Sequence, residues 1–158
     1  MEVELLSSPN YAGNIIVILA NLPEFLRKPI LKKRLMEFFT MPAIEKAELI
    51  NNALSAGPTI SFDRFAKLFK TWLQVLATMS EQQRTYMFSS YIEEIVTNPQ
   101  KLIQFNLDGI FEIFMTLDQV QKYNIVNSIK KIVDNLDEHK KRKLFLTIPD
   151  NARKELGI

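Results

Sequence analysis

The chain of 158 residues is long enough for one domain with a sizeable core, and 47% hydrophobic with 24% charged residues excludes a disordered composition. A net charge of +2 is too small to point to nucleic acid, and the absence of cysteine removes disulfides and thiolate metal sites and fits a reducing compartment. The longest apolar run, Ile15 to Ala20, falls far short of the roughly 20 residues of a membrane span, and no basic segment precedes an apolar one at the N-terminus, so a cytoplasmic protein with no membrane span is expected.

Seven triplets recur every 19 residues and mark the elements. They are Asn21-Leu22-Pro23, Thr40-Met41-Pro42, Thr59-Ile60-Ser61, Thr78-Met79-Ser80, Thr97-Asn98-Pro99, Thr116-Leu117-Asp118 and Asn135-Leu136-Asp137. Each has the chemistry of a helix start. Ser80, Asp118 and Asp137 can accept from free N–H groups of a first turn, and Pro23, Pro42 and Pro99 suit the first helical position. Ser80 with Gln83, and Asp118 with Gln121, have capping-box spacing. Between the triplets the apolar residues keep helical spacing, as in Met87, Phe88, Tyr91, Ile92 and Ile95.

Nine helices are predicted, near 9–20, 23–39, 42–55, 61–77, 80–96, 99–115, 118–134, 137–146 and 149–156. Their short connections predict that chain neighbours pack antiparallel. Pro29 should kink the second helix or delay its start, and Gly109 should bend or split the sixth. Apolar columns repeat at 38-residue spacing, including Leu49, Met87 and Ile125 in one helix type and Leu31, Phe69 and Leu107 in the other. The expected fold is all-α: an α-solenoid, a right-handed superhelical stack of antiparallel helix pairs with a 38-residue period. It forms a single domain over 1–158, with repeats near 23–60, 61–98 and 99–136 and caps at 1–22 and 137–158.

A 38-residue helix pair resembles HEAT-like repeats. The unit from Phe39 to Ile50, Phe-Thr-Met-Pro-Ala-Ile-Glu-Lys-Ala-Glu-Leu-Ile, is also similar to a helix boundary in two other families. These are the cytosolic N-terminal domain of MgtE-type magnesium transporters and the flagellar rotor switch protein. The resemblance implies the fold class and nothing about activity.

Motifs for chemistry are sparse. The single histidine, His139, lies in a basic run and reads as a solvated residue, since a zinc site needs three or four gathered ligands. The adjacent pair Glu93-Glu94 would point about 100° apart on a helix, which disfavours a shared site. The four glycines are scattered, so no phosphate cradle is present. Neither an enzyme nor a bound cofactor or metal is expected.

Three features point to binding. Lys46, Arg84 and Lys122 stand at equivalent positions of successive pairs. They read either as a strip for an acidic or phosphorylated partner, or as repeated pairing with a carboxylate or with C-terminal carbonyls of the adjacent helix. Two basic clusters, Arg27, Lys28, Lys32, Lys33 and Arg34, and Lys140, Lys141, Arg142 and Lys143, read as solvated faces or as a patch for nucleic acid or an anionic surface. The aromatics Phe25, Phe38, Phe65, Phe69, Trp72, Phe88, Phe105, Phe111 and Phe114 read as core, with some available to line a groove for a partner helix. The function expected is a protein-interaction or scaffolding domain for an acidic or amphipathic partner segment. The alternative is nucleic-acid or anionic-surface binding.

Overall fold

A computed structural model describes residues 11–158, and among them every regular element is a helix. In chain order these are α1 (Tyr11–Ala20), α2 (Glu24–Phe38), α3 (Ala43–Ala56) with a 3-10 turn at Gly57–Thr59, α4 (Phe62–Thr78) and α5 (Glu81–Thr97). Then come α6 (Gln100–Ile103), α7 (Leu107–Met115), α8 (Gln119–Asp134), α9 (Glu138–Phe145) and α10 (Asp150–Leu156). No helix among the described residues is long and apolar enough to cross a membrane. The start of the predicted first helix at residues 9 and 10, and most of the first half of the predicted N-terminal cap, lie outside the described residues.

Three of the triplets start helices through side-chain hydrogen bonds, while Ser61 makes none. Ser80 accepts from the Gln83 N–H at 3.1 Å while Gln83 Oε1 accepts from the Ser80 N–H at 3.4 Å. Asp118 and Gln121 close the same reciprocal box at 2.7 and 3.2 Å, and Asp137 accepts from the Lys140 N–H at 2.8 Å. Pro23 and Pro42 occupy the cap position itself, with extended backbone, one residue ahead of the first turn.

Two local expectations are narrowed by the structure. Pro29 does not delay α2, which begins at Glu24 and runs on through it; its missing N–H costs one bond, to the carbonyl of Phe25. The sixth predicted helix is split, giving ten helices among the described residues, but the break falls at Gln104–Asn106 and not at Gly109. Asn106 makes a second cap there, its Oδ1 accepting from the Gly109 N–H at 3.0 Å. Gly109 serves a different need: a Cβ on it would lie 2.4 Å from the ring of Phe62, so only glycine lets that ring approach.

The largest interfaces join helices two to four apart in the chain: α1 with α3, α5 with α8, α4 with α8, and α2 with α4. Chain neighbours such as α1 and α2, or α4 and α5, touch far less. The short links bring helix ends together, but each buried stripe chooses its own partner. In α4 the stripe includes Leu68, Leu73 and Leu76; in α5 it includes Met87, Phe88, Ile92 and Ile95. Phe38, Ile50, Leu76, Met87 and Ile125 are almost wholly withdrawn from water, each stabilising the fold by about 1.5–3 kcal/mol.

Candidate functional site

The three cations of the predicted strip have three different environments. Arg84 is buried, and its guanidinium clamps the end of α4. Its Nη1 donates to the Met79 carbonyl at 2.8 Å and to the Leu76 and Ala77 carbonyls at 3.4 Å, while Nε donates to Ser128 Oγ on α8 at 2.8 Å. The first turn of α5 thus supplies a cation to the orphan carbonyls of α4. Burial lowers the Arg84 pKa, and the nearby Glu81 carboxylate opposes that shift. Lys46 is half-buried, donates to Tyr86 Oη at 2.6 Å and stands 4.7 Å from the centroid of that ring. Lys122 is half-buried on α8. The three do not form one open row.

The first basic cluster also divides. Arg27 is buried and repeats the Arg84 clamp: its Nη1 donates to the Leu22 carbonyl at 2.6 Å and its Nε to Thr71 Oγ1 on α4 at 3.1 Å. Its hydroxyl partner lies 44 positions on and its carbonyl partner 5 positions back, the same offsets as for Arg84 with Ser128 and Met79. The two clamps are three 19-residue steps apart, so the device spans three helices where a two-helix period is expected. The matching sequence signal is an arginine five residues after the middle of a boundary triplet, answered by Thr or Ser 44 residues later. Lys28, Lys32 and Lys33 are exposed on the other side of α2, and Arg34 is exposed beside the buried stripe.

In the second cluster, Lys140 pairs with Glu93 at 3.1 Å and Lys141 with Glu138 at 3.7 Å. Arg142 is exposed, Lys143 half-buried and His139 exposed. Among the described residues no three His, Asp or Glu side chains gather as a metal site requires.

An apolar cleft of about 430 Å³ is walled by residues from Ile15 in α1 to Leu156 in α10. One face of α4 carries a ladder of four rings, of which Phe65, Phe69 and Trp72 line the cleft. Phe62 and Phe65 are 6.2 Å apart between centroids, Phe65 and Phe69 5.6 Å, and Phe69 and Trp72 5.8 Å. The steps of three and four residues put these rings on one side of the helix. Trp72 then meets Phe88 edge-on at 5.6 Å and Tyr91 at 5.2 Å, and Phe105 closes on Phe65 at 5.3 Å. Gly57 makes room for Phe105, whose ring stands 2.5 Å from where a Cβ would be. Phe65, Phe69 and Trp72 are only half-buried. Phe25, expected in the core, is instead 75% exposed on α2.

The cleft holds few polar groups. Tyr91 has no hydrogen-bond partner among the described residues, and burial raises its pKa to about 12. Arg34 and Glu37 also reach the wall and pair with each other at 3.1 Å. Such a surface can take up apolar area and offer one hydroxyl for an oriented hydrogen bond. No protein-family model, no curated protein and no solved structure matches this chain.

Proposed function

We propose that the chain is a cytoplasmic protein-interaction module without enzymatic activity. Its helices form a HEAT-like right-handed stack, and its cleft receives the apolar face of an amphipathic helix from a partner protein. The aromatic ladder in the cleft carries this reading. Rigid rings presenting half-buried faces are the side chains that most often dominate binding energy in helix-in-groove recognition. The stacked arrangement is supported by the interfaces between helices two to four apart, and by inter-helix side-chain bonds joining residues 40 to 50 positions apart. The only charged wall residues among those described, Arg34 and Glu37, neutralise each other, which leaves no free cation there for a fatty-acid carboxylate. A protein helix with its own satisfied backbone needs none.

The test uses a photo-reactive benzoylphenylalanine at position 111, on the cleft wall, in native extract. The expected adduct maps to a partner segment with apolar residues at i, i+3, i+4 and i+7. An adduct with lipid, or with an extended polar peptide, would overturn the reading. Trp72 is the single tryptophan, so its fluorescence then reports binding of the mapped peptide directly. Affinity should change little between about 50 and about 500 mM salt, unlike phosphate-driven binding.

A further inference from the structure

We propose that the outward face of α2 docks on the surface of an anionic lipid bilayer. The buried stripe of α2 is narrow: Arg27, Leu31, Leu35 and Phe38. Nearly all the rest of the helix faces water, and that face mixes two chemistries. Among the described residues Lys28, Lys32 and Lys33 are exposed with no carboxylate partner, and Arg34 pairs with Glu37 of its own helix. Between the cations stand Phe25 at 75% exposure, Leu26 at 40%, Ile30 at 39% and Met36 at 44%. On α1, which packs beside α2, Val17 and Ile18 are exposed as well. Arg64 of α4 reaches across to Asn21, at the corner between α1 and α2, and adds a further exposed cation. The acids on these two helices are Glu24 and Glu37 on α2 and Asp63 on α4.

Charge and apolarity together select the occupant. Apolar groups between lysines are what the boundary between headgroups and acyl chains accepts. Lysine stems lie along the apolar layer while their ammonium groups reach lipid phosphate and carboxylate. Nucleic acid would reward the cations but leave Leu26, Ile30 and Met36 in water. The α9 cluster lacks this character, since Lys140 and Lys141 are already paired with glutamates. Because Arg27 clamps α2 to α4, the whole domain would dock as a body, with the cleft left to its own occupant.

Full-length protein would be sedimented with phosphatidylcholine vesicles, and with vesicles carrying about 30 mol% phosphatidylserine, at about 0.1 M salt. Binding to the anionic vesicles only is expected. The variant Lys28→Glu, Lys32→Glu, Lys33→Glu should bind them about a hundredfold more weakly, at about fivefold per cation before reversal is counted. The pair Phe25→Ala, Ile30→Ala should lose about tenfold with the salt dependence unchanged. All five positions are exposed, so thermal midpoints should hold; should charge reversal disturb folding, the Lys→Gln version of the triple replaces it. Equal binding to both vesicle types, or an unchanged triple variant, would overturn the proposal. So would tight RNA binding that is indifferent to Phe25→Ala, Ile30→Ala, which would mark a polyanion face instead. Loss of partner capture in the cleft with vesicle binding intact would refute only the cleft reading.

Discussion

α2 and α4 pack against each other, and both carry phenylalanines, aliphatics and cations, yet they meet opposite surroundings. α4 is enclosed by α1, α2, α7 and α8, and the half-buried rings of its aromatic ladder lie side by side along one wall of the cleft. α2 touches mainly α4 and turns Phe25, Leu26 and Ile30 to water between lysines. Composition does not separate the two helices; the number of neighbours does. An apolar residue becomes core, groove or docking face according to what stands opposite it.

The sharpest way to break this contrast is to cut into the enclosed helix. Leu76 has no exposure, and Leu76→Ala should cost about 3–4 kcal/mol in urea denaturation, because neighbours on several sides cannot all collapse into the void. An effect below about 1 kcal/mol would show that α4 is not enclosed. Next come the clamps that tie each arginine to its stack. Arg84→Met should cost about 3 kcal/mol and Arg27→Met about 2 kcal/mol, since Arg84 satisfies three carbonyls and Arg27 only one. The reverse order would separate two devices that look alike.

Gly57→Ala pushes a methyl against the Phe105 ring and should cost about 1–2 kcal/mol, with reduced affinity in the cleft. Tyr91→Phe tests the cleft through pH. The hydroxyl ionises near 10 when unfolded and near 12 when folded, so its contribution is intact below pH 10 and is lost as pH rises from 10 towards 12. The wild type should therefore lose stability more steeply than Tyr91→Phe across that window, as read by thermal midpoints. The smallest effect belongs to the open helix: Phe25→Ala should leave stability within about 0.5 kcal/mol, although the same change in α4 would not.

Much of the fold was legible because its signals are local. Ser80, Asp118 and Asp137 mark helix starts by bonds to N–H groups three residues away, and the structure places them there. The break before α7 was half legible: Gly109 drew attention, but Asn106 makes the cap. The candidate site was less legible. Lys46, Arg84 and Lys122 share a column, yet equal spacing does not say which way a side chain points. Arg84 turned inward because the exposed carbonyls of α4 lie within its reach. The arginine clamps leave only a 57-residue echo in the sequence, with Lys46 and Phe65 at the 19- and 38-residue steps between them.

By itself the sequence determined where most helices begin, their number to within one, and the caps at Ser80, Asp118 and Asp137. Those choices rest on backbone N–H groups and side chains within four residues of each other. Which helices face each other, which arginines are buried, and that the aromatics line a cleft were decided only by tertiary structure. Those outcomes depend on partners 40 to 50 residues away, whose apolar stripes compete for the same neighbour.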